Sequence, residues 1–335
     1  MSLCFSQSSL ALSLSLDSIA EWGKFPRFCI NTYRWADEFF NSYDSAYVVG
    51  TGMRFNVKTM ADSYVDYYRF QLTDGTRVDL VSDASTSVGV YLTYMAVSAG
   101  YDVNVSKLLG RHNDARKRYN LGLNCSLFSV ETYWVENEVG TRMTRFDGYN
   151  GDDLDFNSVL ISSWGIDTYY FFNNNRYSQA AAFSYGKIQK RSQGSLYAGL
   201  SIFTQKYDFN FNGLPQHMMD LLPEWWADNH FRLRTNNYGF RFGYAYNCVL
   251  SPKWLFGVSI SPIMGVAKGY INSEKEELSF SLYNHLKMSV VWNSGRWFGG
   301  LIGQIKSALV PDRETVFAGN DLNFSCSLGY RFNLW

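Results

Sequence analysis

The chain has 335 residues, with 30 Lys+Arg against 30 Asp+Glu and a formal net charge of zero. That balance excludes a nucleic-acid binder, which needs a Lys/Arg excess to displace phosphate counterions. Charged residues are only 18%, below the roughly 25% of a soluble domain, yet no run of about 18 apolar residues offers a helical membrane span. With 18% aromatics, 27 Gly and only 6 Pro, the composition suits β-structure that faces lipid on one side.

Residues 1–16 are mildly apolar and rich in small residues, but the first basic residue is Lys24. They read as the remnant of an export signal or as a disordered tail, since a secretory signal carries its positive charge ahead of the apolar segment. Residues 17–46 scatter Ile19, Trp22, Phe25, Phe28, Trp35, Phe39 and Phe40 among charges, which predicts a short amphipathic periplasmic helix. The five cysteines (Cys4, Cys29, Cys125, Cys248, Cys326) lack CxxC or short paired spacing. Neither a zinc knuckle nor a disulfide framework is indicated. Cys125, Cys248 and Cys326 fall on the apolar phase of predicted strands, where a thiol acts as a small hydrophobe.

From residue 47 onward the chain alternates with period two, placing one residue set on each face of a sheet. Val97, Ala99, Tyr101 and Val103 oppose Ser98, Gly100, Asp102 and Asn104, and Tyr119, Leu121, Leu123, Cys125 and Leu127 oppose Asn120, Gly122, Asn124 and Ser126. Tyr238, Phe240, Phe242, Tyr244 and Tyr246 oppose Gly239, Arg241, Gly243, Ala245 and Asn247. The last strand sets Leu322, Phe324, Cys326, Leu328, Tyr330 and Phe332 against Asn323, Ser325, Ser327, Gly329 and Arg331.

A soluble sandwich alternates too. Here, however, the polar face is mainly Gly, Ser and Asn, which suits the crowded interior of a modest barrel. The predicted strands, near 47–57, 86–94, 97–106, 118–128, 130–137, 158–172, 194–207, 237–250, 254–268, 279–292, 296–308 and 321–334, run roughly 9–14 residues, as a tilted membrane crossing requires. Tyr47, Tyr94, Trp134, Trp164, Tyr238, Trp254, Trp292 and Trp297 fall near strand ends, as interfacial girdles do. The expectation is an all-β, transmembrane antiparallel β-barrel of about 12 strands, with 10 or 14 also compatible. Short turns at 251–253 and 293–295 fall on the periplasmic side. Longer polar segments (58–85, 107–117, 138–157, 208–236, 269–278, 309–320) fall outside. Residues 173–193 break this rule as a long periplasmic segment that could fold under or into the barrel.

The C-terminal run Ser327-Leu-Gly329-Tyr-Arg-Phe332-Asn-Leu334-Trp335 looks like the assembly signal of outer-membrane barrels. Ser327, Gly329, Phe332 and Leu334 occupy its polar, glycine and two outward hydrophobic places, and Trp335 stands in the opposite phase. More specifically, the chain resembles the outer-membrane family of Bacteroidota known as domain of unknown function 4421. The stretches that carry the likeness are Phe40–Val48, Ser87–Tyr94, Tyr170–Phe183, Gln189–Leu196 and Tyr238–Phe256, and it spans about residues 38–335. That resemblance implies a barrel in the outer membrane and supplies no catalytic residues.

Alternation points Arg54, Asp102, Glu131, Asp167, Arg241, His285, Lys287, Lys306 and Arg331 into the lumen. Both signs are present, so they form ion-pair networks that fill the interior or line a narrow polar pore. A Ser–His hydrolase would need a nucleophile beside an oriented histidine; His285 with Ser281 or Ser289 shares a face but has no evident orienting group. The segment 208–236 carries Leu221, Leu222, Trp225 and Trp226, which cap the barrel mouth or contact a partner, glycan or lipid headgroup. His217, Asp228 and His230 are a poor metal set. The acidic run Asp147, Asp152, Asp153 and Asp155 departs from the calcium-loop pattern and reads as a solvated loop. No cofactor or metal is called for. The expected role is non-enzymatic, a narrow channel for small solutes or an envelope scaffold, with a lipid-modifying hydrolase as the alternative. Expected partners are outer-membrane lipid and the barrel-assembly machinery during insertion.

Overall fold

The computed structural model describes residues 21, 23–40, 42–72, 75–94, 97–106, 115–147, 154–220, 222, 229–271, 276–311 and 315–333. Residues 1–16, Leu221, Trp225, Trp226, Leu334, and Asp152 and Asp153 of the acidic run lie outside them. A helix, α1 (Lys24–Phe40), occupies the segment where amphipathic spacing predicts one. Its Phe25 and Phe28 are exposed.

The strands follow in chain order as β1 (Val48–Gly50), β2 (Phe55–Leu72), β3 (Arg77–Ser82), β4 (Ser85–Tyr94), β5 (Val97–Asn104), β6 (Ala115–Asn124), β7 (Phe128–Phe146) and β8 (Leu154–Phe171). Then come α2 (Gln179–Phe183), β9 (Lys187–Gln189), β10 (Gln193–Asn210), α3 (Gln216–Met219), β11 (His230–Ser251), β12 (Trp254–Ile271), β13 (Glu276–Ser294), β14 (Trp297–Pro311) and β15 (Thr315–Phe332). All but β1 and β9 join one antiparallel sheet, which closes where β15 pairs β2 from Thr315↔Leu72 to Phe332↔Phe55. Closure leaves no edge unpaired in hydrocarbon.

The sheet does not have the same number of strands at every height. β3 and β4 follow one another along β2, pairing its far and near halves. Near the rim where β2 begins and β15 ends (the near rim), β5 and β6 lie between β4 and β7, so 12 strands surround the axis. Towards the opposite, far rim, β3 pairs β7 directly. The β5–β6 hairpin is thereby left out, and only 10 strands continue.

Parity assigns the faces as expected. Leu121, Phe242 and Leu328 are exposed on the outer wall, whereas Asn237, Arg241, Asn247, Ser325 and Arg331 are buried inside. The outward apolar run of β11 from Tyr238 to Leu250 covers roughly 30 Å of membrane normal at about 3.4 Å per residue and a tilt near 40°.

Strand limits differ from those expected. The first crossing is β2, not 47–57, of which residues 47–54 form the small β1 strand and the approach to the barrel and only 55–57 belong to β2. Four of the six expected outer loops (58–85, 138–157, 269–278 and 309–320) are largely strand, with 58–85 holding most of β2 and all of β3, whereas 107–117 and 208–236 give only their ends to β6, β10 and β11. In the other direction, Cys125 and Leu127 lie in the turn between β6 and β7, and Cys125 is buried.

A polar chamber between two apolar closures

The lumen is sealed at the near rim by residues 173–192, which turn up into the barrel. α2 buries Ala180, Ala181 and Ala182, capped by the Ser178 hydroxyl accepting from the Ala181 N–H at 3.3 Å. Ala181, Ala182 and Tyr185 pack against Leu255, Val291, Phe298 and Ile302 of β12–β14. Tyr185 adopts φ of 61°, a left-handed conformation costing about 1–2 kcal/mol for a residue with a Cβ. Its anchors offset that cost: the hydroxyl lies 2.6 Å from Ser327 Oγ, and its carbonyl accepts from Arg331 Nη2 at 2.6 Å. Gly300 makes room for the ring, since a Cβ there would meet Tyr185 Oη at 2.8 Å and Val290 O at 2.7 Å. Burial pushes the Tyr185 hydroxyl up to about 12.

β9 pairs β1, so the approach to the barrel and the plug form one unit. Gln189 ties it to the wall: its Oε1 accepts from the Ser178 N–H at 3.0 Å and from Asn247 Nδ2 at 3.1 Å, while its Nε2 donates to Arg176 O at 2.6 Å. The Asp44 N–H donates to Asn175 O at 2.8 Å. Tyr43 is half-buried, and the desolvation of its hydroxyl lifts it to about 12.

The far closure is apolar. Tyr68, Phe70, Phe209, Phe231, Leu233 and Phe317 face inward from the strands and meet Phe211, Leu214, Met218 and Leu222 of the β10–β11 connection. Phe70 stands edge-on to Phe209 and Phe231, each at 5.0 Å between ring centres, the arrangement that aromatic quadrupoles favour. Leu222 thus folds into the mouth.

Between these closures lies a charged interior. Arg241 of β11 donates from Nη2 to Asp167 Oδ1 of β8 at 2.7 Å and to Ser201 Oγ at 2.8 Å, and from Nη1 to Tyr169 Oη at 2.8 Å. Lys287 of β13 reaches Glu131 of β7 at 3.2 Å, bridging walls that are not neighbours in the sheet. Lys306 of β14 lies 4.9 Å from the Tyr133 ring centre of β7. The Asp102 carboxylate accepts from Tyr91 Oη at 2.6 Å. His285 Nε2 is 3.2 Å from Gln304 Oε1. Arg331 belongs to the near closure, where it also donates to Asn293 Oδ1 at 2.8 Å.

Eight of the nine ionisable residues expected in the lumen are therefore inside. Arg54 is the exception: it precedes β2, is exposed at the near rim and donates its backbone N–H to Asn333 Oδ1 at 2.8 Å. Parity placed it inward only because the first strand was expected to start too early.

Sequence reasoning missed Lys58, Asp62 and Arg118, which complete the network. Lys58 Nζ lies 4.6 Å from the Tyr91 ring centre, Asp62 accepts from Ser325 Oγ, and Arg118 donates to Tyr64 Oη. Among the described residues, two adjoining cavities of about 130 and 180 Å³ lie in this interior, sharing Arg118, Tyr133, Asp167, His285 and Lys306. Both fall below the roughly 300–1,000 Å³ of small-molecule sites. They suit a few waters.

Among the described residues no group of three or more His, Cys, Asp or Glu could hold a metal. His230 pairs with Asp208 at 3.0 Å, Asp147 with Arg145 at 2.8 Å, and Asp228 lies outside the described residues. Of the assembly-signal residues, Ser327 and Gly329 face inward, while Phe332 stacks on Phe55 at 5.6 Å.

A closed cylinder with an apolar exterior and a hydrogen-bonded polar interior is a membrane-spanning β-barrel of the outer-membrane type. The chain belongs to the family described as Domain of unknown function (DUF4421), whose model matches residues 42–332. No curated protein matches it.

Solved structures with a similar strand course include the outer-membrane protease OmpT of Escherichia coli, at 7% identity and TM-score 0.40, covering 85% of this chain and 98% of that one. The translocator domain of autotransporter NalP from Neisseria meningitidis is similar at 10% identity and TM-score 0.35, over 95% and 100% of the two chains. OprG from Pseudomonas aeruginosa is similar at 10% and 0.28, over 85% and 100%. At such identities and scores nothing about activity passes from them to this chain. The likeness stretches quoted above, apart from Ser87–Tyr94, meet at the near closure.

Proposed function

We propose that the protein is a non-enzymatic component of the outer membrane and serves as an envelope scaffold rather than as an open channel. The double closure carries this reading: the lumen is blocked by the Tyr185 plug at one end and the Phe70 cluster at the other. Charges of opposite sign face each other between them, Arg241 with Asp167 and Lys287 with Glu131, in contrast to a pore, where like-signed side chains line a continuous water path. The near rim, with the start of β2, the end of β15 and the tight turns after Ser251 and Ser294, faces the periplasm in the usual orientation of such barrels.

The hydrolase alternative has less support. His285 bonds to Gln304, not to a serine, and it lies between the two closures, out of reach of a lipid ester. In planar bilayers the purified protein is expected to show no single-channel steps; regular steps from the wild type would overturn the scaffold reading. Phospholipid is expected to release no fatty acid, and release that disappears in His285→Ala would establish the hydrolase instead.

A further inference from the structure

Positive charge gathers at the near rim of a chain whose formal net charge is zero. Residues 173–192, which form the plug, contain Arg176, Lys187, Lys190 and Arg191 and no acid. The approach to the barrel and the tight turns add Arg54, Lys253 and Arg296, all three exposed. Among the described residues of 42–54, 173–192, 251–254 and 294–297 the one acid is Asp44, 3.7 Å from Arg176. Lys187 turns to the Tyr43 ring at 5.1 Å, and Lys190 donates to Ser45 O at 3.1 Å. Arg54, Arg191, Lys253 and Arg296 have no ion pair among the described residues.

Backbone contacts set these four in one arc. Ser192, next to Arg191, accepts through Oγ from the Val249 N–H at 2.9 Å, just before the turn that carries Lys253. The Lys253 carbonyl accepts from the Asn293 N–H, and the Arg296 carbonyl from the Arg331 N–H, each at 2.8 Å. Asn333, on the same strand end as Arg331, holds the Arg54 N–H. Behind the arc, the Tyr47 ring keeps Arg176 at 4.9 Å and Arg191 at 5.5 Å from its centre. Cations gathered in this way repel one another, and a polyanion laid across them relieves the repulsion.

We infer that the near rim docks on peptidoglycan, its exposed guanidinium and ammonium groups meeting free carboxylates of the polymer's peptide stems. This inference rests on the envelope-scaffold reading and on the near rim facing the periplasm. Guanidinium forks match carboxylates in shape as well as charge, and several weak contacts along one polymer add up through effective concentration. A protein partner would need an apolar anchor at the centre of its interface. Among the described residues of 42–54 and 173–192 no large apolar side chain is exposed, and Ser42, Ser45, Asn175 and Ser192 surround the cations. Phospholipid headgroups do not reach the plug cations, which lie under the lumen and away from the lipid belt.

The test is cosedimentation of detergent-purified full-length protein with purified sacculi. The wild type is expected to pellet at low salt and to be released at about 0.5 M, where exposed charges are screened. Sacculi with amidated carboxylates are expected to pellet none. Lys190→Glu with Arg191→Glu is expected to weaken binding, and adding Lys253→Glu and Arg296→Glu to weaken it by roughly tenfold or more, since attraction turns to repulsion at four points. Exchanging Lys and Arg at the same four positions is expected to retain it. Unchanged heat-modifiable migration on a gel verifies the barrel in each variant. Equal pelleting by the four-site Glu variant or with amidated sacculi would overturn the assignment. Retention on immobilised polyglutamate above that on sacculi would overturn it in favour of an acidic protein. Silent bilayers without sacculus binding would reject the partner and leave the closed scaffold standing, whereas channel steps with binding intact would do the reverse.

Discussion

Arg241 is only 2% exposed, yet every guanidinium nitrogen has a partner among Asp167, Ser201 and Tyr169. Removing one member of such a buried pair leaves an uncompensated charge, at a cost of about 3–5 kcal/mol, whereas replacing both by apolar groups of similar volume is far milder. Arg241→Ala is therefore expected to lower unfolding stability in lipid vesicles by about that amount, and Arg241→Met with Asp167→Leu to recover most of it. A single-variant loss under about 1 kcal/mol would contradict the account. At this scale parity reads well: one residue's direction follows from its neighbours in sequence. Arg118 was legible too, since it shares the phase of Asn120 and Gly122 at the head of a predicted strand. Asp62 was not, because the surrounding segment did not show the expected alternation.

The shortness of the expected strands has a cause at the scale of the strand. Within the membrane the outward set is apolar and the inward set polar; beyond it, water outside and the closure inside reverse both. β11 shows the switch: Tyr238, Phe240 and Phe242 point outward, but Phe231 and Leu233 point inward with Arg232 and Arg234 outside. β10 does the same between Ile202 and Phe209. The alternation continues with its phase reversed, so a reading for one phase sees a loop, and strands of 18 to 22 residues look like crossings of half that length.

The plug raises a different issue, because its stability depends on phenols held neutral. Tyr43 and Tyr185 have an ordinary value of 10.0 and are held near 12 when docked. A raised value makes phenolate formation favour the undocked state, so their contribution is complete below pH 10 and disappears as pH rises towards 12. The thermal midpoint of the wild type is expected to stay level up to about pH 10 and fall beyond it, with a shallower fall in Tyr185→Phe. Identical slopes in the two proteins would remove Tyr185 from this role.

For the whole molecule, the reduction from 12 strands to 10 along the axis brings the far walls close enough for Phe70, Phe209 and Phe231 to meet. Hydrogen bonding around an unbroken circumference also makes the barrel cooperative, since no strand can leave without exposing two edges to hydrocarbon. Unboiled protein is therefore expected to migrate on a detergent gel differently from boiled protein. Identical migration of both would count against a closed cylinder.

The amino-acid order alone determined that there is a barrel, about how many strands it has, which face is greasy and most of the charges that point inside. Each of these follows from period two and from the solvent on either side, and both act locally. Only the tertiary structure decided that the cylinder is blocked, that Lys287 answers Glu131, and that residues 173–192 enter the lumen. Those outcomes depend on which walls lie opposite one another, and strands far apart in sequence meet there only because the sheet curves until its first and last strands join.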